Sequence, residues 1–324
     1  MKIAEGKIYY ERKPKLMLNE LNSLQRKKIT VDPTKLKLKD DNDRLLLQVT
    51  NGSVKHYPVR RAFLYKLLKW YWFPTRLIYK LSTESIVSVC NDFLLNIKSD
   101  QVNIKIENDE ALTITSMKYT DITDQEILEM CIPFNIGSVS RSDFCMRMYG
   151  QKLLDAEPVV DDKCGFGFNI LNSETGFRAL GVYHYILRYV CTNGAIAPVN
   201  GSSTYVHYDK SKKNVLESLK NNLDKLEDSK LIIIKQLGRM QYAGGRKYLS
   251  YVKKYLEALL GVKETNSFIE EFEKSLDAKE QSKYDLFNYI TNRAKRFDFG
   301  KRIAIEEIAG KLISLDVKDE EKQK

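Results

Sequence analysis

Apolar and polar residues alternate with a period of two in several stretches of the first two-thirds of the chain, between helical ones, and follow a helical period in the last third. LLLQV and VKHY, within 45–57, flank Asn51-Gly52, the pair most suited to a tight hairpin turn. QVNIKIE (101–107) and ALTITSMKY (111–119) flank Asn108-Asp109 and predict a second hairpin. Pro58 opens a helix over 59–72, in the favoured first-turn position, and Pro74 restarts the chain. Ser82 caps a helix to about residue 97 that carries Ile86, Val89, Phe93 and Leu94 on one face. A short helix follows at Asp124 to Met130, and residues 140–208, rich in Gly and β-formers, predict several strands. Helices are expected at 211–237, 246–260, 265–275, 282–297 and 301–315, broken at Gly244-Gly245, Gly261 and Gly300. The pattern predicts an α+β protein, with a mixed hairpin-and-helix N-terminal portion of antiparallel strands and an α-helical C-terminal portion. Its linear divisions are an extended basic arm (1–43), an α+β core (44–209), a helical portion (210–315) and a charged tail (316–324). Pro14 and Pro33 read as breakers in the arm.

Of 324 residues, 43% are hydrophobic and 30% charged, so the chain can bury a sizeable core and wholesale disorder is not expected. The 53 Lys and Arg exceed the 43 Asp and Glu by ten, which favours a polyanionic partner. The distribution says more than the total. Residues 44–83 hold no Asp or Glu, yet carry eight Lys and Arg and eight aromatic residues. Residues 229–256 are also free of acids and carry seven Lys and Arg with four Tyr. Cations interleaved with rings suit single-stranded nucleic acid, because cations release counterions from phosphates and rings stack on bases. The candidate contacts are Arg60, Arg61, Lys66, Lys69, Trp70 and Arg76 in the first window. In the second they are Lys235, Arg239, Arg246, Lys247 and Tyr248. The competing reading of each ring is a place in the core, since large rings prefer burial.

Enzyme chemistry has little support. The chain lacks GxGxxG, a phosphate-binding GxxxxGK[ST], HExxH and GxSxG. His56, His184 and His207 have no ligand spacing to one another. Asp161 and Asp162 with Glu174 form a weak metal candidate of the nuclease kind; a solvated turn after Pro158 explains the pair more simply. The five Cys, at 90, 131, 145, 164 and 191, form no CxxC pair and read as reduced thiols. No cofactor is called for. The polar start and the lack of any apolar run near membrane-spanning length lead to the expectation of a cytoplasmic protein without a membrane partner.

Four stretches together resemble a known family. They are YPVRRAFLYKLLKWYWFPTRLIYKL (57–81), TITSMKYTDITDQEILEM (113–130), NILNSETGFRALGVYHYILRYVCTNGAI (169–196) and YDLFNYITNRAKRFDFGKRIAIEEIAGKLI (284–313). In this order they resemble the phage/plasmid-like protein family of unknown function, carried on prophages, phages and conjugative plasmids. The third stretch, with Asn172-Ser173-Glu174, Gly176, Arg188, Cys191, Asn193 and Gly194, is the most specific. The resemblance covers most of the chain from about residue 43; the arm before it and the window around 210–256 depart from the pattern. It implies a mobile-element context, where DNA processing is common, and it transfers no site residues.

Read physically, NSETG and VCTNG are tight structural sites. Gly176 and Asn193-Gly194 tolerate the left-handed backbone of sharp turns. Arg178 and Arg188 lie ten residues apart, which in a continuous strand puts both on one face. Such a pair could clamp phosphates or could pair with Glu174 or another carboxylate. The leading expectation is a non-enzymatic nucleic-acid-binding protein of a mobile element that prefers single-stranded DNA, protects or anneals strands, and forms homo-oligomers. The alternatives are a protein-interaction factor, such as an inhibitor of a host defence system or a virion component, and a metal-dependent nuclease.

Overall fold

The computed structural model describes residues 2–150, 154–188, 193–198, 211–224, 226–274 and 281–315. The protein is α+β, and the chain forms two compact units that interleave along the sequence. Unit 1 comprises Met1–Met148, Leu171–Leu180 and Tyr205–Leu216; unit 2 comprises Tyr149–Ile170, Gly181–Thr204 and Glu217–Lys324. Among the described residues, no helix is long and apolar enough to cross a membrane.

In unit 1 the expected hairpins form. β4 (Arg44–Asn51) and β5 (Ser53–Pro58) turn at Gly52, whose φ is +72°. β6 (Val102–Glu107) and β7 (Glu110–Ser116) turn at Asn108 and Asp109, both left-handed, as a two-residue hairpin turn requires. The arm differs from its expected extended form. It holds β1 (Tyr9–Arg12), α1 (Pro14–Ser23), β2 (Arg26–Val31) and β3 (Leu36–Asp41). Pro14 starts α1 instead of breaking the chain, because a first-turn amide has no acceptor within the helix and its loss costs no bond. Met17 and Leu21, one turn apart, are the buried residues of that helix. β2 then pairs with β6, giving the order β2-β6-β7, while β3 joins β4 and β5. β1 pairs antiparallel with β8 (Ile136–Arg141), which neighbours β9 (Met146–Gly150).

α2 (Arg61–Trp70) and α3 (Thr83–Leu95) build the core of unit 1 with these sheets. Phe63, Leu64 and Leu67 of α2 are fully buried, as are Leu38 of β3 and Leu47 of β4. Each such side chain contributes about 1.5–3 kcal/mol by leaving water. Ser82 caps α3 through the Ser85 amide, as its sequence position predicts. α4 (Asp124–Cys131) begins with a reciprocal capping box between Thr123 and Glu126.

β10 (Leu154–Val159), β11 (Asp162–Asn172), β12 (Gly181–Arg188) and β13 (Asn193–Pro198) are neighbours in that order, in unit 2 but for the last two residues of β11. The helices expected from the last third are present. They are α5 (Lys212–Asp224), α6 (Leu226–Arg239), α7 (Leu249–Leu260), α8 (Val262–Lys274), α9 (Lys283–Ala294) and α10 (Phe299–Ser314). α5 and α6 fall in the helical stretch expected over 211–237, with residue 225 outside the described residues. α10 lies so close on β13 that a Cβ at Gly310 would overlap the Ile196 carbonyl.

Candidate nucleic-acid interface

The polar segment 172–176, expected as a tight structural motif, is buried in unit 1. Asn172, Ser173, Glu174 and Thr175 are all nearly inaccessible. A buried irregular segment must satisfy its own polar groups. Asn172 Nδ2 donates to Asp124 Oδ1 at 2.8 Å, Tyr119 donates to the Ser173 carbonyl at 2.8 Å, and Thr175 donates to the Asp143 carbonyl at 2.8 Å. Gly176 takes φ +75°, and a Cβ there would collide with the Lys66 amine. The left-handed backbone is what calls for glycine here, since the lysine tip could swing aside.

Glu174 belongs to an ion network that also absorbs Arg60. Glu107 is its centre. It accepts from Arg60 at 2.8 Å, Arg141 at 3.0 Å and Arg26 at 3.2 Å. Arg60 also reaches Glu110 at 2.8 Å and Asp143 at 3.0 Å; Arg141 reaches Asp124 at 2.8 Å. Glu174 accepts from Arg26 at 3.2 Å and from the Asp124 amide. Burial pushes Glu107 up, but Arg141, Arg26 and Arg60 outweigh it and hold the carboxyl at about 2. Burial, and then Asp124, push Glu174 above the usual carboxylate range. A cavity of about 140 Å³ opens beside Arg26, Lys105, Glu107 and Glu174. Opposite charges lie close in space and out of water here, so removing one would strand its partners.

The first basic window accordingly divides. Arg60 is 4% exposed and committed to three carboxylates, so it does not face a phosphate. Trp70 packs, partly buried, against the core of unit 1. Arg61 is half-exposed and pairs with Glu5. Lys66 is part-buried, donates to the Gly176 carbonyl at 2.9 Å and lies over the Tyr119 and Phe177 rings. Burial, then the neighbouring Lys69, push its amine down to about 8. Lys69 and Arg76 remain exposed. So does Trp72, a residue absent from the sequence-derived set, at 92%.

The second window, in unit 2, keeps its cations outward. Lys235 and Arg239, one turn apart near the end of α6, are exposed, as are Arg246 and Lys247 in the turn before α7. None of the four forms an ion pair with a described residue, since the whole segment lacks carboxylates. Tyr242, between the two pairs, is 87% exposed. Tyr248 is the exception: it is 3% exposed, in the core of unit 2, with the Lys283 amine over its ring at 4.5 Å. It is unavailable for stacking. The alternation of Tyr248 and Val252 toward the helix core, one turn apart, was the signal that could have separated it from Tyr242.

The arginine pair does not share a continuous strand. β12 starts at Gly181, so Arg178 precedes the strand in unit 1, while Arg188 ends it in unit 2. Asn193 and Gly194 begin β13 opposite Arg188 and Leu187. Gly194 does not use a left-handed backbone; it is needed for space, since a Cβ would meet the Tyr185 ring. Cys191 lies outside the described residues. The weak metal candidate is divided between the units, Asp161 and Asp162 in unit 2 and Glu174 in unit 1. Asp161 takes φ +63° in a turn, Asp162 accepts from Tyr284 at 2.7 Å, and Glu174 belongs to the ion network. Among the described residues, no group of three or more His, Cys, Asp or Glu is placed to hold a metal. Compared with known proteins, the chain matches no family model, no curated protein and no solved structure.

Proposed function

We propose that this protein binds single-stranded nucleic acid, with DNA preferred, through the exposed cations of unit 2. The observation that carries the reading is the run Lys235, Arg239, Arg246 and Lys247, outward and without carboxylate partners among the described residues, with Tyr242 exposed among them. Phosphates would neutralise these cations and a base would stack on the tyrosine. The reading requires no cofactor. It extends to strand protection or annealing during replication or recombination of a phage or other mobile element, in the host cytoplasm, as a homo-oligomer. Membership of the phage/plasmid-like family is part of the same proposal.

A second reading, a protein-interaction factor, is favoured by Leu231 and Ile232, which stand exposed on the helix that carries Lys235. Fluorescence anisotropy with labelled single- and double-stranded DNA, over a salt series without metal, tests the first reading. Tighter single-strand binding with a steep negative salt slope is expected. Absence of binding at low salt overturns it and leaves the exposed patch to a protein partner that survives nuclease treatment in a pull-down.

A further inference from the structure

α2 ends in an arrangement that normally selects glycine. The Phe73 amide bonds back to the Leu68 carbonyl at 3.0 Å, and the Trp72 amide to the Lys69 carbonyl at 3.2 Å. This paired closure places its next-to-last residue in the left-handed region, where glycine is usual because it has no Cβ. Here the residue is Trp72, with φ +55°. A bulky residue in that conformation is an outlier.

The side chain gains nothing that would explain the choice. The indole is 92% exposed and makes no ring, ionic or hydrogen-bond contact with a described residue. Its neighbours in sequence behave differently: Trp70, Tyr71 and Phe73 all pack against the core of unit 1, and Tyr71 stacks on Phe93 at 4.2 Å between ring centroids. The fold therefore turns three rings inward and one outward. Lys69, three residues before, and Arg76, four after, are exposed, and the acid-free window surrounds all three.

We propose that Trp72 is a base-stacking anchor for single-stranded nucleic acid, with Lys69 and Arg76 as flanking phosphate contacts. This rests on the binding reading above and adds a subsite on unit 1. A large flat ring offers its face to any unpaired base, and the absence of carboxylates in the window matches a polyanion. A duplex keeps its bases stacked and would not offer one. A membrane-inserting surface would present several apolar tips together, whereas the tip here is one ring between a lysine, a proline and an arginine.

The chain has two tryptophans, so Trp70→Phe leaves Trp72 as the sole indole emitter. Titration of that variant with oligo-dT or oligo-U of about 15 nucleotides should quench its fluorescence. Quenching by either supports the subsite. The Trp72→Phe variant, which retains Trp70, should respond little. Trp72→Ala should weaken oligonucleotide binding by about 5- to 150-fold with an unchanged salt slope, because a stacking contact releases no counterions. Trp72→Gly should weaken binding equally and melt at or above the parent temperature, because glycine suits the left-handed position.

If the parent binds neither oligonucleotide, both this subsite and the binding reading fall. If the parent binds but Trp72 emission and the Trp72→Ala affinity do not change, only the subsite falls. Quenching by phosphatidylserine vesicles and not by oligonucleotides overturns it in favour of a lipid surface. A Trp72→Gly variant that melts well below the parent overturns it too, since the ring would then serve the fold.

Discussion

Asn172 gives its side-chain amide to Asp124 at 2.8 Å, fastening the buried 172–176 segment to the first residue of α4. Asp124 also holds Arg141, so the contact joins the segment to the ion network centred on Glu107. Asn172→Ala should cost about 1–3 kcal/mol, because it removes a bond to a buried charged acceptor. Glu107→Gln should cost more, about 3–5 kcal/mol, since it leaves Arg26, Arg60 and Arg141 around a neutral group. Urea unfolding of the two variants checks both the values and their order.

Stability should decline in acid in two stages. His184 is buried in unit 2, and burial pushes its imidazole from 6.5 down to about 4. The neutral form is the folded one, so its contribution is complete above pH 6.5 and is lost as pH falls from there towards 4. It amounts to about 3 kcal/mol. Glu107, held near 2 against an unfolded 4.5, contributes above 4.5 and loses that contribution as pH falls towards 2. Melting temperatures across pH should show the first decline in the parent and a flatter profile over 4 to 6.5 in His184→Gln.

The Lys66 amine should titrate near pH 8. Burial is the larger cause and Lys69 the second, so Lys69→Gln should raise the Lys66 value by removing a like charge. Nuclear magnetic resonance of ¹³C-methylated lysines reads this directly. An unmoved resonance midpoint in the variant would assign the whole depression to burial.

Phosphate contacts can be told from structural cations by salt dependence. Each cation that neutralises a phosphate adds about 0.7 to the slope for single strands. The double variant Lys235→Gln, Arg239→Gln should flatten the slope by about 1.4 and leave unfolding unchanged. Arg60→Gln should do the reverse: an unchanged slope and a loss of stability, because its guanidinium serves Glu107, Glu110 and Asp143. A flattened slope in Arg60→Gln would return that residue to the interface.

The hairpins at Gly52 and Asn108-Asp109, the Ser82 cap and the helical last third were legible in the sequence. Each rests on local chemistry: a residue tolerant of left-handed backbone, a hydroxyl placed to accept an amide, an apolar face recurring with the helical period. The acid-free windows were legible for the same reason, since composition needs no fold.

Which members of those windows reach solvent depended on the tertiary structure. Arg60 and Lys69 are alike in sequence, yet Arg60 enters the interior because Glu107, Glu110 and Asp143 arrive there from distant parts of the chain. Trp70 and Trp72 stand two residues apart, and the end of α2 turns one to the core and the other to water. α1 was missed because Pro14 breaks a helix interior but starts a helix equally well, and only the burial of Met17 and Leu21 decides between them. The network around Glu107 draws on residues from 26 to 174, so spacing along the chain carries no signal of it. Local sequence thus determined the hairpins, the caps, the helices of the last third and the sign of the charge, whereas the folding of the arm and the side of each element on which a cation or a ring finally stands were decided by long-range pairing of charges and by competition for the core.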